Sequence, residues 1–137
     1  MSEAEREAFL AEMHVGVLAI ERSGGPPLAV PVWYGYEPGG SVEILTSASS
    51  YKAGLVRAAG RATLCAQQEA LPYKYVSVEG PVTITELGED AHAAIEAMAI
   101  RYLGEELGRS YAADGVEGDE IRISIRPDRW RTVDYGR

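Results

Sequence analysis

The stretch "SVEILTSASSYKAGLVRAAGRATLC", residues 41–65, decides the fold because its hydrophobic period changes twice. The segment "SVEILT" predicts a strand, "YKAGLVRAAG" predicts a short helix closed by Gly60, and "RATLCAQ" predicts the next strand. Ser47, Ser49 and Ser50 fall where the first strand leads into the helix. The segment therefore predicts a strand–helix–strand unit with a polar connection.

Strand patterns continue on both sides of this unit. The segment "PLAVPVWYGYEPGG" alternates and ends in turn residues, so it predicts a hairpin with "SVEILT". The apolar run "HVGVLAIE" predicts a strand buried on both faces. The segment "YKYVSVEGPVTIT" predicts a long strand that bends at Gly80 and Pro81, and "EIRISIR" alternates cleanly. The count is about six strands, mostly antiparallel.

Three helices are predicted around these strands. Ser2 and Glu5 have capping-box spacing before the first helix, residues 51–60 form the second, and an apolar stripe over residues 89–107 predicts the third. The expected class is mainly β with α (α+β), and the short antiparallel strands favour a small barrel or sandwich.

Composition limits the possible functions. A chain of 137 residues with 46% apolar and 25% charged residues is expected to form one domain, residues 1–137. A net charge of −8 opposes binding to nucleic acid or anionic lipid, and no apolar run is long enough for a transmembrane helix, so we expect a cytoplasmic protein. Cys65 has no disulfide partner, and His14 and His92 form no metal-ligand pair.

The polar connection predicts an anion site. The hydroxyls of Ser47, Ser49 and Ser50 and the free N–H groups of the helix start lie together, and Lys52 is in the first turn, where the helix dipole disfavours a cation. A phosphate would satisfy all of these groups. The alternative is a set of ordinary capping serines followed by an exposed lysine.

The ordered set Thr46, Ser50, Lys52, Leu55, Arg61, Glu79 and Gly80 resembles the signature of the pyridoxamine 5'-phosphate oxidase-like split β-barrel family, the flavin/deazaflavin oxidoreductases. The resemblance covers residues 14–86 well. It implies a six-stranded antiparallel split β-barrel of Greek-key, FMN-binding type with flanking helices. It also implies a homodimer with the cofactor in the groove between the subunits.

The resemblance also implies a set of cofactor-binding residues. Ser50 and Lys52 would hold the phosphate, and Thr46 and Ser47 would reach the ribityl chain or the phosphate. Tyr51 stands where related enzymes have an arginine, and it is included in the expected site. The backbone of Val30, Pro31, Val32 and Trp33 would line the ring, while Tyr73, Lys74 and Tyr75 of the second subunit would close the other side. No residue is expected to be catalytic, since the cofactor carries the hydride chemistry.

The chain has fewer cations than the pyridoxamine phosphate oxidases proper, which have Arg and Lys on the strand that here contains Val30 and Gly35. This difference favours the subgroup that uses coenzyme F-420 (a deazaflavin), with hydride delivered to a small conjugated molecule. Two alternatives stay open. One is an FMN-dependent enzyme of the same fold, and the other is a non-catalytic cofactor-binding or storage protein.

Other residues have competing interpretations. Trp33 and Tyr34 stack on a flavin-type ring or cover a sheet face. Cys65 is expected to be a small buried hydrophobe, and neither His14 nor His92 has a partner at catalytic spacing. The acidic residues of the C-terminal half predict a solvated face; they are Glu89, Asp90, Glu105, Glu106, Asp114, Glu117, Asp119 and Glu120.

Overall fold

The computed structural model describes residues 1–115 and 118–137, so Glu117 of the predicted acidic face lies outside the described part. In chain order the elements are α1 (Glu3–Ala11), β1 (Gly16–Ile20), β2 (Leu28–Val32), β3 (Val42–Ser47), α2 (Tyr51–Ala59), β4 (Arg61–Gln68), β5 (Lys74–Glu86), a 3₁₀ turn (Gly88–Asp90), α3 (Ala91–Leu103), α4 (Glu105–Ala113), β6 (Glu120–Ile125) and β7 (Arg129–Asp134).

Six antiparallel strands follow the path β2-β1-β4-β5-β6-β3, which confirms the expected split barrel of mixed α+β class with flanking helices. The two ends of the path meet where the segment after β2 bridges β3, because Gly35 and Glu43 exchange backbone hydrogen bonds of 2.9 and 2.8 Å. The predicted hairpin is limited to this bridge, since β2 itself pairs with β1 and β3 pairs with β6. The seventh strand, β7, pairs with β5 outside this path and was not predicted from the sequence.

β5 belongs to both halves of the barrel. Residues 74–79 lie between β4 and β7, whereas residues 82–86 pair with β6. The predicted bend falls at the change of partner, where Asp128 N–H donates to the Glu79 carbonyl and Arg126 N–H donates to the Pro81 carbonyl. A Cβ at Gly80 would lie 1.7 Å from the Arg126 carbonyl oxygen, so only glycine fits there.

The helix ends follow the sequence signals, with one exception. Ser2 and Glu5 form the capping box of α1, Ser50 caps α2, and Gly60 ends α2 with a φ of 70°. The prediction of a single helix over residues 89–107 was wrong. Gly104, with a φ of 85°, interrupts it and separates α3 from α4, which fold against each other.

The barrel core is built from the inward residues of β1, β3, β4, β5 and β6. β1 differs from its prediction because only one face is buried: Leu18 and Ile20 point into the core, while Val17 is 41% exposed. None of the described helices is both long and apolar enough to cross a bilayer.

Candidate functional site

A cavity of about 580 Å³ lies beside the β3–α2 connection. The end of β3 and the start of α2 supply its polar side, β2 and the residue after it supply a second side, and α3 and α4 cover it. The lining residues are Pro31, Val32, Trp33, Leu45, Thr46, Ser47, Lys52, Ile95, Met98, Tyr111, Asp114, Gly115 and Glu120. Six of the twelve residues expected at a cofactor site from the sequence, Pro31, Val32, Trp33, Thr46, Ser47 and Lys52, therefore share one cavity.

Ser50 is both the N-cap of α2 and a hydrogen-bond donor available to a ligand. Its Oγ accepts from the Ala53 N–H at 3.2 Å and from the Thr46 hydroxyl at 3.1 Å. The Ser50 proton has no acceptor among the described residues. The N–H groups of Tyr51 and Lys52 lie in the first helical turn, where a helix offers no acceptor for them. These groups together form a set of donors at the start of α2.

The hydroxyls of Ser47 and Ser49, by contrast, already bind a carboxylate of the same chain. Both donate to Asp119 Oδ2, at 2.6 and 3.0 Å, and the Asp119 carbonyl accepts from the Ala48 N–H at 2.8 Å. The two serine hydrogen bonds lower the pKa of the Asp119 carboxyl below its ordinary value. The three serine hydroxyls therefore do not form one open anion site. Ser47 lines the cavity but is bound to Asp119, and Ser50, whose hydroxyl proton has no acceptor in the described part of the chain, is not among the lining residues.

Lys52 is the single cation that lines the cavity in the part of the chain described. It is half-buried, and no carboxylate of residues 1–115 or 118–137 pairs with its ammonium. Asp114 and Glu120 line the same cavity. The acidic C-terminal residues are thus only partly a solvated face, because Asp114, Asp119 and Glu120 lie at the cavity.

Two aromatic side chains, Trp33 and Tyr111, also line the cavity. Trp33 stacks on Tyr102 of α3 with ring centroids 5.1 Å apart and 6° between the planes, and Tyr111 of α4 lies 5.5 Å away and tilted. These contacts hold Trp33 against the two helices that cover the cavity. The cavity is consequently lined by aromatic rings as well as by polar groups.

Several expected residues lie outside this cavity. Tyr34 is fully buried and donates to the Leu10 carbonyl at 2.7 Å, so it faces the core and not a ligand. Tyr51 is 61% exposed, and its hydroxyl accepts from Arg22 at 3.1 Å. Val30 packs against the core from β2.

Tyr73, Lys74 and Tyr75 line a separate cavity of about 260 Å³ together with Tyr135. The Lys74 ammonium lies 4.0 Å from the Asp134 carboxylate on β7. Within one chain these three residues therefore do not line the cavity that contains Lys52.

The remaining candidates have structural surroundings. Burial raises the pKa of the half-buried Cys65 thiol, which opposes reactivity. The His14 ring stacks on Phe9 at 4.5 Å, and His92 is exposed on α3. No group of three potential metal ligands occurs in residues 1–115 and 118–137.

Sequence reasoning missed the residues that α3 and α4 bring to the cavity, Ile95, Met98 and Tyr111, and it missed Asp119, which precedes β6 and is hydrogen-bonded to the lining residue Ser47. Ile95 and Met98 belong to the apolar stripe that predicted a core-facing helix, so their pattern did not separate a cavity side from the core. Tyr111 and Asp119 gave no local signal, because the partner of each is distant in the sequence.

Comparison with known proteins agrees with this architecture. The family model described as pyridoxamine 5'-phosphate oxidase matches residues 2–131. No curated protein matches the sequence significantly. Among solved structures, the conserved hypothetical protein Rv2991 from Mycobacterium tuberculosis is 26% identical with a TM-score of 0.80, over 98% of this chain and 86% of that one.

Two further structures share the fold. An F420 reductase is 21% identical with a TM-score of 0.73, over 91% of this chain and 94% of that one. An FAD-binding protein from Mesorhizobium loti is 19% identical with a TM-score of 0.70, over 96% and 94%. At these identities the likeness concerns the fold.

Proposed function

This chain belongs to the pyridoxamine 5'-phosphate oxidase family, and from that premise we propose that it is an oxidoreductase that binds coenzyme F-420 and passes hydride to a small conjugated molecule. The observation that carries the proposal is the Lys52 ammonium, which no carboxylate of the described residues pairs with and which lines a cavity beside the start of α2. A bound deazaflavin would supply the hydride chemistry, and the protein would bind and orient it.

The donor set fits one phosphate group. Lys52, the Ser50 hydroxyl and the first N–H groups of α2 would hold it, each charge-assisted hydrogen bond contributing about 1.5–3 kcal/mol. The ring would lie toward Trp33 and the backbone of Pro31 and Val32. Among the described residues that line the cavity, Lys52 alone carries a positive charge. This favours the singly charged phosphodiester of coenzyme F-420 over the phosphomonoester of FMN, which carries about −1.5 to −2 at neutral pH.

The groove would be completed by a second copy of the chain. The outer face of the sheet aligns Pro31, Val17, Cys65 and Ser77 across four neighbouring strands, and none of these side chains is charged. Val17, exposed on this face, is the kind of apolar residue that a homodimer buries. Tyr73, Lys74 and Tyr75 of one subunit would then approach the cofactor held by the other.

Native mass spectrometry of the protein incubated separately with coenzyme F-420 and with FMN tests the proposal. The expected result is a dimer that retains F-420 and retains less FMN. Reduced F-420 mixed with protein and a panel of enones, quinones and tetrapyrroles should then lose its reduced spectrum. Failure to bind either cofactor at micromolar concentration would refute the proposal.

FMN-dependent catalysis in the same cavity is the second candidate, since the FAD-binding relative shows that the fold accepts a flavin. Retention of FMN and not F-420 would select it. Saturable F-420 binding without turnover of any acceptor would instead indicate a carrier protein.

A further inference from the structure

Asp119 occupies half of the predicted anion site. Its Oδ2 accepts from both Ser47 and Ser49, at 2.6 and 3.0 Å, and the two serine hydroxyls are themselves 2.8 Å apart. Its Oδ1 is buried without a hydrogen-bond partner in the described part of the chain. A carboxylate of the chain thus binds the hydroxyls that a ligand phosphate would otherwise use.

The same carboxylate adds a fixed negative charge beside the remaining donors. Ser47 lines the cavity together with Lys52, and Asp119 is hydrogen-bonded to Ser47. The other charged groups facing the cavity are Asp114 from the end of α4 and Glu120 from β6. The Arg57 guanidinium donates to the Ala48 carbonyl at 2.9 Å in the same connection, but it does not line the cavity. Among the described residues at the cavity, the Asp119 carboxylate therefore adds negative charge where Lys52 is the single cation, and each additional negative charge on a ligand increases the repulsion.

We propose that Asp119 is a specificity-determining residue that excludes phosphomonoesters and admits a singly charged phosphodiester at the Lys52 site. This inference rests on the proposed function and deepens it. A phosphomonoester is nearly a dianion at pH 7.5 and a monoanion below its second pKa of about 6, whereas a phosphodiester stays a monoanion at both pH values. The Asp119 carboxylate would repel the second negative charge of a phosphomonoester, while Lys52 would neutralise the single charge that both kinds of phosphate carry.

Asp119→Asn is the sharpest variant, because the amide oxygen still accepts from Ser47 and Ser49 while the charge is lost. Asp114→Asn is the matched control, since it removes a carboxylate of the same cavity that does not bind the serines. Each protein is titrated with FMN, a monoester, and with coenzyme F-420, a diester, at pH 7.5. Comparing one ligand across variants cancels the other differences between the two cofactors.

The expected result is that Asp119→Asn raises FMN affinity about tenfold and changes F-420 affinity less than threefold. Asp114→Asn should also raise FMN affinity, but by a clearly smaller factor, because Asp114 does not bind Ser47 and Ser49. When the pH is lowered from 7.5 to 5.5, the ratio of F-420 affinity to FMN affinity should fall in the original protein. The same ratio should not fall in Asp119→Asn. If Asp119→Asn acted only by changing the conformation of the β3–α2 connection, the two proteins would show the same pH dependence of the affinity ratio. Equal effects on both ligands, or unchanged FMN affinity, would overturn the inference.

The two proposals fail separately. If the original protein binds neither cofactor, the proposed function falls, and Asp119→Asn still decides the inference: gained FMN binding supports it and no gain refutes it. If the original protein binds FMN as tightly as F-420, the inference about Asp119 is wrong, but the proposal that the chain binds a redox cofactor still holds.

Discussion

The Trp33 indole lies nearly parallel to the Tyr102 ring, with 6° between the planes and 5.1 Å between the centroids. The pair joins the residue after β2 to α3, and Trp33 lines the Lys52 cavity. Because the chain has only two tryptophans, Trp33 also provides an optical probe of that cavity.

Cofactor binding should quench the fluorescence of Trp33 and not that of Trp130. Trp130 lies on β7 under the Arg6 guanidinium, 4.5 Å from its ring centroid, and does not line the Lys52 cavity. Trp130→Phe should therefore retain the quench on F-420 titration, and Trp33→Phe should lose it. If Trp33→Phe retained the quench and Trp130→Phe lost it, the cofactor would bind near Trp130 and not in the cavity beside α3 and α4.

Lys52→Ala should weaken F-420 binding at least tenfold, about 1.4 kcal/mol, because it removes the one cation that faces the cavity in the described residues. Lys52→Arg keeps the charge and should retain more of the affinity. Fluorescence titration measures both variants, and circular dichroism checks that each remains folded. Equal affinity of all three proteins would remove α2 from the site.

Tyr34→Phe should lower the free energy of unfolding by about 1–3 kcal/mol, since the buried Leu10 carbonyl loses the hydroxyl that donates to it at 2.7 Å. Urea denaturation gives this difference. Tyr135→Phe is the control, because its side chain is 68% exposed and its loss should cost less than about 0.5 kcal/mol. Equal costs would contradict the structural role of Tyr34.

Tyr36 should make stability depend on alkaline pH. Burial, followed by the hydrogen bond to Glu7, raises the pKa of Tyr36 to about 12. A raised pKa favours the neutral phenol in the folded state, so its contribution is complete below the unfolded value of about 10 and is lost as the pH rises toward 12. The loss of unfolding free energy between pH 8 and pH 11 should be smaller in Tyr36→Phe. An identical loss would show that Tyr36 is not responsible.

Val17→Arg should convert the proposed dimer into a monomer, because it places a charge in the middle of the outer sheet face. Light scattering measures the mass of each variant. Leu107→Arg is the control: it changes another exposed apolar residue, 64% accessible on α4, and should leave the dimer intact. A dimeric Val17→Arg protein would place the interface elsewhere.

The alternating strands could be predicted because their inward residues recur every second position, as Ile121, Ile123 and Ile125 do on β6. β7 escaped prediction because Arg129 and Arg131 are exposed and Trp130 is the main apolar residue between them. Gly104 was a visible stop signal inside a continuous apolar stripe, and the stripe was given more weight than the glycine.

The sequence predicted only those parts of the site whose residues are close together along the chain. Ser50 and Lys52 lie at a strand-to-helix junction that the sequence itself marks. The contact between Ser47 and Asp119 spans 72 positions and depends on the antiparallel pairing of β3 with β6. No periodicity encodes such a pairing, so the occupied half of the site became visible only in three dimensions.

The bent strand β5 has a consequence for engineering with this chain. Since it forms ladders with β4, β6 and β7, a cut on either side of Gly80 would separate residues that three other strands need at the same time. Two complementing fragments are better divided in the exposed turn at residues 37–40, which lies outside the strands. The first fragment would then keep the β1–β2 ladder and the second the ladders among β3 to β7, while the β1–β4 ladder would form only when the two fragments associate.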